Sequence, residues 1–229
     1  MRIDVVTIFP DMFREVFDFG IVRRAREKGL VAVQVHDLRS WTHDRHRTTD
    51  DAPYGGGPGM VMKVEPLVEA VEAIAGMGES GAQRLVLLSP RGIPIDQPKV
   101  QELSEEEHLV LVAGRYEGVD ERFVEIAGAE EISIGDYILS GGEIPAMVVI
   151  DAVVRLLPGA ISDPQSAAED SFSRGVLDYP HYTRPAEFRG SRVPEVLLSG
   201  DHAAVREWRE SRALSDTRSR RPELLRERS

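Results

Sequence analysis

The stretch Ile134–Pro145, IGDYILSGGEIP, constrains this chain most, because it sets three glycines among twelve residues between a strand-like run, Glu131–Ile134, and a long apolar segment, Ile144–Leu157. Glycine reaches backbone conformations closed to other residues and lets the main chain approach a ligand closely. Two more such turns lie upstream. Gly114-Arg-Tyr-Glu-Gly-Val-Asp120 directly follows the apolar run Leu109–Ala113, and Ser89-Pro-Arg-Gly92 follows Leu85–Leu88. Three buried-strand patterns, each emptying into a glycine-bearing loop, predict one pocket at the carboxyl edge of a sheet.

The rest of the chain supplies the layers such a sheet needs. Ile3–Phe9 reads as a buried strand, and Pro10-Asp11 opens a helix with Asp11 as N-cap and Phe13, Val16, Phe17 and Ile21 on one face. Val31, Val33 and Val35 alternate with Ala32 and Gln34, a strand pattern. Thr48–Met60 is a loop containing Tyr54-Gly-Gly-Gly-Pro-Gly59, flexible or ligand-facing. Pro66–Ala75 and Lys99–Glu107 read as helices, and Asp120 caps another running through Ala127. Strands alternating with helices imply an α/β layer fold with a largely parallel sheet.

Pro145 suits the first turn of a helix that is apolar nearly all round, from Ile144 to Leu157. A helix of that kind is buried on several faces, and a homodimer interface is its expected use. After Pro158-Gly159 the character changes: Ser162–Ser173 is small, polar and aperiodic, a linker or mobile loop. The expected organisation is a domain over 1–161, a linker over 162–173 and a smaller, mostly helical domain over 174–229. In the last, a helix starts near Asp201 and carries Ala204, Val205 and Trp208 on its inner face.

Composition narrows the chemistry. With no cysteine among 229 residues, disulfides, thiolate metal sites and cysteine nucleophiles are excluded. The N-terminus, MRIDVVTIFP, is too short and too acidic for a signal peptide, and the longest apolar run is interrupted by Asp151 and Arg155. A cytoplasmic protein with no membrane partner is expected. The net charge of −11 argues against nucleic acid, but residues 182–229 hold eleven arginines against eight acids. A second basic cluster, His36–Arg47, holds three histidines, three arginines and Trp41. On charge alone, solvated faces and salt bridges are the preferred explanation, so charge permits RNA binding without demonstrating it.

No GxxxxGK[ST], dinucleotide fingerprint, HExxH or GxSxG pattern is present, and His43-x2-His46 alone is weak ground for a metal. What remains is a pocket of backbone amides and carbonyls, suited to a small polar cofactor with an adenine-like edge. Ordinary turn glycines explain any one loop; three in succession are harder to dismiss.

The motifs Pro53-Tyr-Gly-Gly-Gly-Pro-Gly-Met60, Leu88-Ser-Pro-Arg-Gly92, Gly114-Arg-Tyr-Glu-Gly-Val-Asp120, Ile134-Gly-Asp-Tyr-Ile-Leu-Ser-Gly-Gly-Glu143 and Asp178-Tyr-Pro-His-Tyr-Thr-Arg-Pro185 together resemble the bacterial tRNA (guanine-N1)-methyltransferases. The resemblance implies transfer of a methyl group from S-adenosylmethionine to guanosine 37 of tRNA. It also implies a trefoil-knotted α/β domain of the SPOUT class and a homodimer with the active site across the subunit interface. No knot follows from periodicity, and an open sheet would be the ordinary assignment.

The same resemblance distributes roles. Asp170 becomes the base that takes the guanine N1 proton, against the bland alternative of a linker acid or helix cap. Arg155 becomes the cation that stabilises O6, although Asp151 one turn earlier offers it an ordinary ion pair. Around the cofactor it sets Leu88, Ser89 and Pro90; Gly114, Tyr116, Glu117 and Gly118; and Ile134, Gly135, Asp136, Tyr137, Ile138, Leu139, Gly141, Gly142 and Pro145. Glu117 either neutralises the sulfonium or helps to hold Mg2+, for which no ligand cluster in the sequence argues independently. Arg184, Arg189, Arg192 and the His36–Arg47 cluster are the expected tRNA contacts. The rivals are a knotted methyltransferase acting on a ribose hydroxyl or another base, and a non-catalytic RNA-binding factor.

Overall fold

The computed structural model describes residues 1–77, 83–161 and 170–225. The chain forms two compact units, Met1–Ser162 and Asp163–Ser229. The first is a mixed α/β unit around a five-stranded sheet. Its strands are β1 (Arg2–Thr7), β2 (Ala32–Asp37), β5 (Arg84–Pro94), β6 (His108–Ala113) and β7 (Glu130–Ser133), in the order β2-β1-β6-β5-β7. All neighbours run parallel. A short antiparallel pair, β3 (Asp50–Asp51) and β4 (Val61–Met62), stands apart.

Alternation along the strands divides the core in two, as a period of two residues must when both faces are covered. Ile3, Val5, Val86, Leu88, Leu109 and Leu111 face one way, against α1 (Gly20–Glu27), α3 (Gln97–Ser104) and α5 (Glu143–Val154). Val6, Ile8, Leu85, Leu87, Val110 and Val112 face the other, against α2 (Val64–Gly76) and α4 (Glu121–Ala127). Asp120 caps α4 by accepting from the Arg122 amide, and Gly128 closes it at φ +65°.

Three sequence expectations need correction. The helix expected from Pro10 is a 3-10 turn, Pro10–Phe13, and α1 begins only at Gly20, whose φ of +64° re-aims the chain. Phe13 and Phe17 are nonetheless buried, which is why their spacing imitated a helix face. The Ser89–Gly92 turn lies inside a longer strand: β5 bulges there, its register on β7 shifting between Leu88 and Ile93. The Thr48–Met60 loop contains β3 and leads directly into β4.

In α5, Ala146, Val149, Ile150, Val153 and Val154 are fully buried within the first unit, while Ile144 and Val148 stay half exposed on one stripe. The apolar character of this helix is therefore met mainly by its own sheet. Among the described residues of the second unit the longest helix is α6 (His202–Arg220), with Asp201 accepting from the Ala203 and Ala204 amides as its N-cap. The unit also has a hairpin of β8 (Glu187–Phe188) and β9 (Ser191–Arg192), which the sequence reading lacked. Most of the expected linker, residues 162–169, lies outside the described residues.

Candidate active site

Beyond the carboxyl ends of β5, β6 and β7 lies a pocket of about 440 Å3, walled by three loops. Leu88, Ser89 and Pro90 line it from the β5 bulge, and Gly114, Tyr116, Glu117 and Gly118 from the turn after β6. Ile134, Gly135, Tyr137, Ile138, Leu139, Gly141, Gly142 and Pro145 line it from the segment joining β7 to α5. Of the residues proposed for the cofactor, Asp136 alone does not line it.

The loops are locked together by main-chain contacts that only glycine permits. The Gly142 amide donates to the Gly114 carbonyl at 2.8 Å. A Cβ on Gly142 would lie 2.7 Å from the Ala113 Cα and 2.8 Å from the Gly114 nitrogen, with backbone that cannot yield on the far side. A Cβ on Gly141 would run into the Arg115 and Glu143 side chains, and one on Gly92 into the Glu131 main chain. The turn after β6 adds left-handed backbone at Tyr116, φ +61°, and Gly118, φ +135°. The remaining glycine-rich motif joins the same rim, for Gly59 packs directly on the Glu117 side chain and the Glu117 amide donates to the Met60 carbonyl.

One buried network supports the rim. Glu143, at the start of α5, is 1% exposed; its Oε1 accepts from Thr7 Oγ1 at 2.8 Å and its Oε2 from Arg115 Nε at 2.9 Å. The Arg115 guanidinium lies 4.5 Å from the centroid of the Phe9 ring. Neither Arg115 nor Glu143 received a role from the sequence, although both stand inside the quoted motifs. Their pairing joins β1, the turn after β6 and α5, a long-range contact without a local signal. On the outer rim Arg91 pairs with Glu121, holding that carboxyl below its ordinary range. Burial first, and then the Asp50 charge, push the Tyr116 hydroxyl up.

Arg155 is the C-cap of α5 in the first unit, its amide donating to the Asp151 carbonyl. Asp170 belongs to the second unit, half buried in a turn whose Ser173 amide donates to the Asp170 carbonyl. Much of the His36–Arg47 cluster is engaged within the chain: His36 on Asp4, Arg39 on the Ile8 carbonyl, His43 on Glu69 and Arg47 on the Arg39 carbonyl. Among the described residues, no group of three or more His, Asp or Glu is placed to hold a metal ion.

A parallel sheet covered on both faces, with glycine loops closing a pocket over its carboxyl edge, defines an α/β protein with a cleft of small-ligand size at the place where such folds bind their ligands. The tRNA (Guanine-1)-methyltransferase TrmD family model matches residues 1–227, so the chain belongs to that family. Relatives named tRNA (guanine-N(1)-)-methyltransferase extend over nearly all of it. The protein of Methylococcus capsulatus is 56% identical over 225 residues, covering 98% of this chain and 89% of its own. That of Chromobacterium violaceum is 55% identical over 231 residues, covering 100% and 91%. That of Dictyoglomus turgidum is 53% identical over 225 residues, covering 98% and 90%.

Proposed function

We propose that this protein transfers a methyl group from S-adenosylmethionine to N1 of guanosine 37 in tRNA, next to the anticodon. The backbone-walled pocket carries the reading, in a chain that matches the methyltransferase family almost end to end. Its volume falls within the range of small-molecule sites. The close approach of Gly141 and Gly142 to residues 113–115 holds two of the three loops together at the pocket, which supports a preformed site for the donor.

Bound S-adenosylmethionine supplies a methyl group already activated on sulfur, so the protein has mainly to align donor and acceptor. Guanine N1 is protonated at neutral pH. Asp170 accepts that proton, and the N1 electron pair forms the new bond to the methyl carbon. The donor would depart as S-adenosylhomocysteine, keeping the electron pair of the carbon–sulfur bond. Arg155 stabilises the charge that grows on O6. Glu117 balances the sulfonium from the pocket wall. Mg2+ is the second cofactor this reading admits, and titrating it into the activity assay decides the point.

The same proposal gives residues 1–161 the donor, residues 174–229 the RNA and residues 162–173 the connection. It includes the trefoil knot that membership of the family implies. It also includes a homodimer with the active site at the subunit interface, supported by the exposed Ile144 and Val148 stripe. A cytoplasmic location follows from a tRNA substrate, and no helix among the described residues is long and apolar enough to cross a membrane.

The test is incubation with methyl-labelled S-adenosylmethionine and two tRNA transcripts that differ only in G or A at position 37. Label recovered as 1-methylguanosine from the G37 transcript alone supports the proposal. Label on a ribose or another base, or none at any Mg2+ concentration, rejects it.

A further inference from the structure

The second unit has a cavity of its own, about 400 Å3, which methyl transfer as described leaves without a task. Its lining combines aromatic faces and cations: Tyr179, His181, Tyr182 and Trp208 with Arg184 and Arg209. The Tyr179 and His181 rings lie 4.7 Å apart between centroids, and the Arg209 guanidinium lies 4.7 Å from the Tyr179 centroid. His181 is held by Asp178, its Nε2 standing 2.8 Å from Oδ2. Tyr182 and Trp208 form a second tilted pair at 6.3 Å. Arg209 carries a further mark: its Nε is buried without a hydrogen-bond partner. A buried donor left unmade costs free energy, so the observed Arg209 rotamer is not its most favourable one, and a re-orientation toward an acceptor brought by a ligand would relieve that cost.

We propose that this cavity binds one unpaired nucleobase of the substrate RNA, other than the guanine that is methylated. The base stacks among the aromatic rings, and the Arg209 guanidinium, which lines the cavity, turns so that it donates to the base, while Arg184 meets the adjoining phosphate. Stacking on aromatic rings beside arginine is how proteins hold single-stranded bases. Charge favours an anionic occupant here, since residues 182–229 carry eleven arginines against eight acids in a chain of net charge −11. The inference rests on tRNA being the substrate and adds a second point of grip on it.

The test uses the full-length protein and a fluorescently labelled anticodon stem-loop RNA. Each unpaired loop nucleotide except position 37 is replaced in turn by an abasic one, and binding is read by anisotropy. For wild-type protein, one position should weaken binding about ten-fold. In Arg209→Gln and Tyr179→Leu, intact RNA should bind about ten-fold more weakly, and the abasic change at that position should then cost less than about two-fold. S-adenosylhomocysteine affinity, measured by calorimetry, should be unchanged in both variants. Should Tyr179→Leu disturb the fold of the second unit, Arg209→Gln still decides. Losses that simply add at every position overturn the base site, and would redirect the cavity to another class of partner. Methylation of the intact stem-loop by wild type is scored separately. Coupling without methylation defeats the catalytic reading and spares the base site; methylation without coupling does the reverse. An RNA that wild type fails to bind overturns both.

Discussion

The pocket of the first unit is held together by glycine loops seated main chain against main chain, and the cavity of the second is lined by aromatic and arginine side chains. In the first, three loops meet so closely that Gly142 leaves no room for a Cβ beside Ala113 and Gly114. In the second, two aromatic pairs and two arginines surround a space with no comparable glycine. The first is damaged by adding atoms, the second by removing them. A backbone-walled site also tolerates changes of side chain around a fixed ligand, whereas a side-chain site can be retuned one residue at a time.

The sharpest way to break this contrast is Gly142→Val. The added side chain meets two backbone atoms, so S-adenosylhomocysteine affinity should fall by about 100-fold or more with the fold largely retained. Calorimetry beside far-ultraviolet circular dichroism checks it, and near-normal affinity would show that the loops can part. Gly141→Val should act in the same direction, by displacing Arg115 and Glu143.

Next in size is Asp4 on β1, which tests whether charge buried away from both cavities serves only stability. The carboxylate is fully buried and accepts from Arg2, with His36 Nε2 at 2.6 Å and His108 Nε2 at 2.7 Å. Burial alone would raise its pKa; the hydrogen bonds from His36, Arg2 and His108 outweigh that and hold it at about 2. A carboxylate depressed in the folded state contributes stability above its unfolded pKa and loses it as pH falls through the folded one. The Asp4 contribution, about 2 kcal/mol, should therefore be complete above about pH 4 and disappear toward pH 2. Urea titrations across that window should show the slope in wild type and a shallower one in Asp4→Asn.

Glu143→Gln leaves Arg115 facing an amide, and should cost about 2 kcal/mol in chemical denaturation together with a modest loss of donor affinity. The smallest effect belongs to Tyr137→Phe. The Tyr137 hydroxyl donates to the Ile134 carbonyl in its own loop, so donor affinity should change less than about three-fold by calorimetry. A large loss would show that the pocket reads side chains after all.

The strands were legible because each is an apolar run long enough to cross a covered sheet, and the loops because their glycines follow those runs directly. The capping of α4 by Asp120 was local chemistry, and it appears where the sequence places it, as does the start of α6 beside Asp201. Less was visible wherever distance along the chain or weak pattern intervened. β8 and β9 are two exposed residues each, too short to show alternation. The Asp4 cluster joins positions 4, 36 and 108, and the Thr7–Glu143–Arg115 network joins three separate elements. No window of sequence contains either. The β5 bulge hid for another reason: Ser-Pro-Arg-Gly is turn-like, yet Gly92 lies close on the β7 backbone and Ile93 and Pro94 pair again with Ile132 and Ser133.

Hydrogen–deuterium exchange on the full-length protein, with and without saturating S-adenosylhomocysteine, tests the central claim most directly. If the donor is held by backbone, amides of residues 114–118 and 134–142 should gain strong protection and those of residues 179–184 should not. Protection confined to residues 179–184, or none in the two glycine loops, would contradict it.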